Sequence, residues 1–167
     1  VTYEANPTIS ATGTSRCGSG EVTLTATTTG TAYWFDTQSA ANAFTDASST
    51  HTGTGATYSP SVTATKTYYV RALSEHGCLS TVANAVATVN NNNDQLTTTA
   101  VENCGPTTVT LTATGSSNPL TWYSDAQGET VLDATTQNVT TTTTFYVAST
   151  DGNNCRSALV PLTVTIN

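Results

Sequence analysis

A six-residue block, Val22-Thr23-Leu24-Thr25-Ala26-Thr27, returns intact as Val109-Thr110-Leu111-Thr112-Ala113-Thr114. Four more landmarks return in the same order. Cys17-Gly18 precedes the first block and Cys104-Gly105 the second. Tyr33-Trp34-Phe35-Asp36 aligns with Thr121-Trp122-Tyr123-Ser124-Asp125. Tyr68-Tyr69-Val70 aligns with Phe145-Tyr146-Val147, and Gly77-Cys78-Leu79-Ser80 with Asn154-Cys155-Arg156-Ser157. Both copies end in an apolar alternation, Val82 to Val89 and Leu159 to Ile166. A chain of 167 residues with this pattern is two copies of one structural unit. The copies differ mainly between the Trp and Tyr landmarks, where the first carries an insertion around Ala40 to Gly55.

The boundary falls at Asn90-Asn91-Asn92-Asn93-Asp94-Gln95, because a run of Asn favours turns over regular ladders. The expected organisation is a tail of a preceding repeat or linker over 1–5, a first domain over 6–90, an Asn-rich linker over 91–94 and a second domain over 95–167. Val1-Thr2-Tyr3 resembles the final-strand endings Val86-Ala87-Thr88-Val89 and Val164-Thr165-Ile166. That likeness and the lack of Met read as a segment cut from a longer tandem array.

Thr makes up about a quarter of the residues. It is β-branched, stiff at χ1, and suited to pleated, half-wet surfaces. Here it alternates with apolar residues, which argues against an O-glycosylated stalk. Strands are expected near 8–12, 22–28, 31–36, 56–59, 66–73 and 82–89. In the second copy they are expected near 97–101, 109–114, 119–124, 130–133, 143–150 and 159–166. Nothing holds a helical period for three turns, although Ser39 to Ala47 suits one short turn. The fold class is therefore all-β: two tandem immunoglobulin-like β-sandwich domains of about seven strands each. Trp34 and Trp122 fall on the third strand of each sandwich and are assigned to the core, together with Tyr69 and Tyr146.

The formal net charge is −7, with 4 Lys plus Arg against 11 Asp plus Glu. Phosphate binding needs clustered Lys and Arg, so a nucleic-acid partner is not expected. Docking on an anionic membrane is disfavoured for the same reason. No run reaches the 18 or so apolar residues of a membrane helix, so insertion is not expected either.

The ordered landmarks Cys-Gly, Val-Thr-Leu-Thr-Ala, Trp-Tyr/Phe-x-Asp, Thr-x-Tyr-Tyr-Val and Gly-x-Cys-x-Ser resemble the immunoglobulin-like repeat of large secreted Bacteroidetes proteins. That family is associated with gliding motility and with the sorting domain of type IX secretion. The likeness covers nearly the whole chain. The second copy departs slightly, with Asn154 before Cys155 and Phe145 for the first Tyr. The resemblance implies a surface-exported, multi-repeat adhesin, filament or spacer, and it carries no catalytic residues.

Cys17, Cys78, Cys104 and Cys155 allow three pairings. One Cys pair per repeat in an exported chain favours Cys17–Cys78 and Cys104–Cys155. These would close loops of about 60 and 50 residues, each worth about 4 kcal/mol in the chain-entropy view. Strand lengths place the members of each pair at opposite poles of a sandwich, about 20 Å apart at roughly 3.3 Å per residue. A bridge needs Cα atoms within about 7 Å. Bridging of Cys17 to Cys155 across successive domains therefore stays open beside the favoured pairing. Zinc is disfavoured, since no C-x-x-C occurs and the only His are His51 and His76.

Neither His51 nor His76 has a counterpart in the second copy, so both read as surface turn residues rather than as catalytic bases. The acidic residues are scattered, which does not suit a glycosidase pair. The strongest metal candidates are Asp94, after four Asn, and Asp151, in an oxygen-rich turn; both suit calcium, and no other cofactor is expected. Tyr33, Phe35 and Tyr123 point away from the core by alternation, as glycan contacts or as packing under a loop, with packing favoured. Lys66 is the only Lys, so the second copy cannot form an isopeptide crosslink. Asn138-Val139-Thr140 is a formal glycosylation acceptor.

The expected function is a non-catalytic structural or adhesive repeat segment of an extracellular bacterial cell-surface protein. It would serve as a rod-like spacer, adhesin stalk or filament subunit. The alternative is a polysaccharide-binding accessory module of a secreted hydrolase. The expected partners are neighbouring repeats of the same chain or copies of itself, with surface glycans as a further class. A near-absence of Lys leaves strand edges poorly guarded, which favours self-association.

Overall fold

The computed structural model describes residues 4–167. The expected repeat tail at Val1-Thr2-Tyr3 lies outside the described residues. The chain divides into two compact units, one ending at Asn90 and one spanning Asn91–Asn167.

The first unit contains β1 (Ile9–Thr12), β2 (Thr14–Cys17), β3 (Gly20–Glu21), β4 (Leu24–Thr28) and β5 (Thr31–Phe35). It continues with α1 (Gln38–Ala43), β6 (Gly53–Thr54), β7 (Thr57–Tyr58), β8 (Ser61–Val62), β9 (Lys66–Leu73) and β10 (Ala83–Asn90). One sheet runs β1-β4-β7 and the other β2-β10-β9-β5-β6, with β3 and β8 as a separate short ladder. The core lies between the sheets. Leu24 and Ala26 of β4 meet Trp34 of β5, Tyr68 and Val70 of β9, and Ala85 and Ala87 of β10. The Thr residues between them face out, as alternation requires.

The strand expected near 8–12 is β1, and an additional strand, β2, follows it directly into the other sheet. β1 pairs antiparallel with β4, and β2 then pairs parallel with β10. Gly13 sits at the crossing because a Cβ there would run into the backbone of Val86.

The second unit contains β11 (Thr97–Thr98), β12 (Val101–Asn103), β13 (Thr107–Thr110), β14 (Ala113–Thr114), β15 (Leu120–Tyr123), β16 (Thr136–Val139), β17 (Thr143–Ser149) and β18 (Val160–Ile166). Its larger sheet runs β12-β18-β17-β15, and two short ladders, β11-β14 and β13-β16, supply the other side. The same crossing occurs: β11 pairs with β14, and β12 joins β18 in parallel. Leu111, Trp122, Phe145, Val147, Leu162 and Val164 form the core. The strand expected near 130–133 is reduced to a single bridge between Tyr123 and Val131, and the strand proper is β16.

The insertion of the first copy folds as one short helical turn and a flap. Thr37 caps α1, its hydroxyl accepting from the Ala40 N–H at 3.2 Å. Ala41 and Phe44 then pack on Tyr33 and Phe35 of β5. This makes a second, smaller core on the outer face of the sheet.

Candidate functional site

The landmarks that repeat in sequence build two structural poles in each unit, and the hydrogen-bond pattern of the poles repeats. At the N-terminal pole, the turn between β9 and β10 is closed by Ser74 N–H to Cys78 carbonyl at 2.9 Å. The Ser74 hydroxyl accepts from the Cys78 N–H at 2.9 Å. The matching turn between β17 and β18 is closed by Asp151 N–H to Cys155 carbonyl at 3.0 Å, and Asp151 Oδ1 accepts from the Cys155 N–H at 2.9 Å. The residue before each Cys has positive φ: Gly77 at 83° and Asn154 at 60°. Asn tolerates that region better than other side chains, which explains the departure of the second copy from Gly.

A buried serine fixes each turn to its strand. Ser80 Oγ accepts from the Ala72 N–H at 2.8 Å, and Ser157 Oγ accepts from the Ser149 N–H at 3.0 Å. The chain also enters each unit here. In the first unit Glu4 meets His76 at 3.0 Å. In the second, Asn92 Nδ2 donates to the carbonyl of Ser149 at 3.2 Å and of Cys155 at 3.0 Å.

At the C-terminal pole, Cys17 stands opposite Asn90 in the β2–β10 register, and Gly18 N–H donates to Asn90 carbonyl at 2.9 Å. In the second unit, Cys104 follows β12, and Gly105 N–H donates to Asn167 carbonyl at 3.1 Å. Gly18 and Gly105 both hold positive φ, 69° and 88°. The eight residues of β10 separate the two poles by about 23 Å, and the seven of β18 by about 20 Å.

That separation corrects the favoured disulfide pairing. Cys78 and Cys104 are free thiols, while Cys17 and Cys155 are disulfide-bonded. Cys17–Cys78 and Cys104–Cys155 are not formed, because the members of each pair sit at opposite ends of a full-length strand, well beyond the reach of an S–S bond.

Residues 91–94, expected as a linker, include side chains that belong to the second unit. Asp94 Oδ2 accepts from Ser116 Oγ, from Ser149 Oγ at 2.6 Å and from Asn118 Nδ2 at 2.9 Å. The Ser116 hydroxyl, then Ser149 and Asn118, hold the Asp94 carboxyl below the usual carboxylate range. A depressed folded-state value means the stabilisation is present above the ordinary carboxyl pKa of about 3.9 and is lost as pH falls through the lower value. The second unit is therefore expected to lose stability from about pH 4 downward. In Asp94→Asn that acid-dependent loss should shrink, while the unfolding midpoint at neutral pH falls. Thermal melts of both chains between neutral pH and strong acid check this. Equal pH dependence in the two would mean that Asp94 does not titrate through these bonds.

Asp94, one of the two calcium candidates, thus carries three donors on its Oδ2. Asp151 is likewise engaged, its Oδ1 taking the N–H of Asn153 and of Cys155, both at 2.9 Å. Among the described residues no three of His, Cys, Asp and Glu converge.

The aromatic expectations divide. Trp34 is fully buried, with its Nε1–H on Gly55 carbonyl at 3.0 Å, and Trp122 is 5% exposed. Tyr69 and Tyr146 are corrected: Tyr68 and Phe145 fill the inter-sheet core, and their neighbours lie half-buried on the opposite face. The register explains the shift, since Phe35 pairs with Tyr69 and Tyr123 with Tyr146, all on the outer face. Tyr33, Phe35 and Tyr123 also face outward, but they are buried and offer no glycan platform. Phe44 lies 4.8 Å from Tyr33 and 5.2 Å from Phe35, centroid to centroid. The Arg156 guanidinium covers Tyr123 at 5.5 Å and is held by the carbonyls of Gly128 and Gln127.

The remaining polar candidates are tied into surface structure. His51 Nδ1 lies 2.8 Å from Ser49 carbonyl, with its ring edge-on to Tyr33. Lys66 pairs with Asp36 at 3.0 Å, both half-exposed. Asn138 Oδ1 accepts from the Thr108 hydroxyl at 2.6 Å on the exposed β13–β16 ladder. No described helix is long and apolar enough to cross a membrane.

Similar solved structures include fibronectin(III)-like modules of Clostridium thermocellum CbhA, at 11% identity and a TM-score of 0.39, covering 96% of this chain and 94% of that one. The titin domains z1z2 match at 14% and 0.38, covering 99% and 98%. Murine CEACAM1b matches at 14% and 0.36, covering 97% and 99%. None of the curated proteins matches the chain. The family described as Ig-like domain CHU_C associated matches twice, over residues 5–90 and 93–167. The chain belongs to that immunoglobulin-like family and carries two tandem members of it.

Proposed function

We propose that the chain is a non-catalytic structural segment of an extracellular bacterial surface protein, serving as a serial module in a spacer, adhesin stalk or filament. Immunoglobulin-like modules are typically scaffolds, and their function resides in what they present or connect. One observation carries the reading. Each unit takes the chain in at the pole of the cysteine-bearing turn and releases it at the opposite pole, beside Cys17 or Cys104. A module threaded in this way lends itself to repetition along one chain. The burial of Tyr33, Phe35 and Tyr123 weighs against the polysaccharide-binding alternative, which needs exposed aromatics.

Immunogold microscopy of intact source cells, with antibody against this chain, tests the proposal. Label is expected on the outside of the cell, on extended material or a surface layer. Label confined to the cytoplasm would overturn the reading. Retention of the purified chain on insoluble polysaccharide would replace it with the glycan-binding one.

A further inference from the structure

Each unit carries one free thiol, at its N-terminal pole in the first and at its C-terminal pole in the second. Cys78 lies in the N-terminal-pole turn of the first unit, and Cys104 at the C-terminal pole of the second. Each has a counterpart in the other repeat with matching backbone hydrogen bonds. The counterpart of Cys104 is Cys17, and that of Cys78 is Cys155. Both counterparts are disulfide-bonded. The same position is thus oxidised in one repeat and reduced in the other.

Sequence gives no reason for the difference. Cys17-Gly18 and Cys104-Gly105 are the same dipeptide, and both glycines hold positive φ. Exposure does not follow the difference either: of the bonded cysteines Cys155 is 1% exposed and Cys17 exposed, while Cys78 is partly exposed and Cys104 exposed. The unbonded members both reach solvent, at the two poles where a further repeat would adjoin.

We propose that Cys78 and Cys104 are covalent joints. The C-terminal-pole Cys104 of one copy forms a disulfide with the N-terminal-pole Cys78 of the next. The partner is a second copy of this chain, and the inference rests on the serial-module reading. The bond needs an oxidant, taken here as a low-molecular-weight disulfide such as oxidised glutathione. Cys104 thiolate attacks glutathione disulfide and releases one glutathione. Cys78 thiolate of the next copy attacks the Cys104 sulfur of the mixed disulfide and releases the second. The two protein protons end on the two glutathione thiols, and the two electrons reduce the glutathione disulfide. Exposure at both poles meets the access requirement of this exchange.

Pole identity makes the proposal directional, and that is the test. Purified wild type, Cys78→Ser and Cys104→Ser are incubated at high concentration with oxidised glutathione, then resolved on non-reducing gels and mapped by mass spectrometry. Wild type should give a ladder of head-to-tail oligomers joined by Cys78–Cys104 peptides. Each variant alone should stop at glutathione-capped monomer. An equimolar mixture of the two variants should give dimer, joined by Cys104 of one and Cys78 of the other. Melting curves verify that each variant is folded. Like-with-like dimers equal to the mixed dimer, or capped monomer throughout, would overturn the joint. Either result leaves the cell-surface labelling of the preceding section to stand or fall separately.

Discussion

Trp34→Ala is expected to remove about 3–5 kcal/mol from the first unit, the usual cost of truncating a fully buried large aromatic. The indole fills the space between the two sheets and stacks on Tyr58 at 5.7 Å. It also satisfies the carbonyl of Gly55, so truncation leaves a cavity and removes that carbonyl's side-chain donor. At roughly 0.05–0.15 kcal/mol per residue, a unit this size holds about 4–13 kcal/mol in total, so the substitution removes a large share of it. The effect should be local, because the cores of the two units share no residue. Each repeat carries one of the two Trp, which makes Trp122 a separate fluorescent reporter of the second unit. In the variant, amides of β5, β9 and β10 should exchange much faster, while Trp122 emission reports an unchanged second unit. Unaltered protection in β9 would show that Trp34 does not anchor the core. Trp122→Ala is expected to act in the mirror sense.

The features legible in sequence are those that alternation and repetition write locally. β9 spans Lys66–Leu73 as read, because its inward residues and outward Thr and Arg keep strict parity. Parity itself was harder to assign at Tyr68-Tyr69, where two adjacent aromatics satisfy either register. Only the pairing of Trp34 with Val70 fixes which of them points inward. The split of the first strand at Gly13 is a property of two sheets, and a single strand's pattern does not contain it. β16 lies away from the strand expected near 130–133 because seven of the eleven residues from Ala134 to Thr144 are Thr, with only Val139 buried to mark a face.

The poles show the same division. One cysteine pair per repeat favours Cys17–Cys78 while strand length argues against it, and the structure follows strand length. The Asn92 and Asp94 network left no local trace, since its partners lie 22 to 63 residues away. A run of Asn reads as a flexible connector unless those distant acceptors are known. Asn92 and Asp94 are themselves only half-buried, and the buried residue that both satisfy is Ser149.

The insertion of the first copy supplies the second large effect. Tyr33 and Phe35 face away from the main core and would lie bare without a cover. Phe44, 1% exposed, packs on both, and Ala41 is sealed beneath the same helix. Arg71 clamps the arrangement, donating to Ser80 carbonyl at 2.8 Å and to Ala41 carbonyl at 3.3 Å. The second copy solves the same problem with Arg156 over Tyr123 and needs no insertion. Phe44→Ala should therefore loosen the flap by about 3–5 kcal/mol while leaving the inter-sheet core assembled. If opening precedes cleavage, limited proteolysis within 38–52 should accelerate by about 10²–10⁴-fold, since each 1.4 kcal/mol is a factor of ten. Binding of an apolar dye should rise as Tyr33 and Phe35 become accessible. Cleavage at the wild-type rate would mean that α1 and the Arg71 clamp hold the flap without Phe44. Faster cleavage across β9 and β10 as well would mean that the outer cluster is part of the main fold rather than a cover laid upon it.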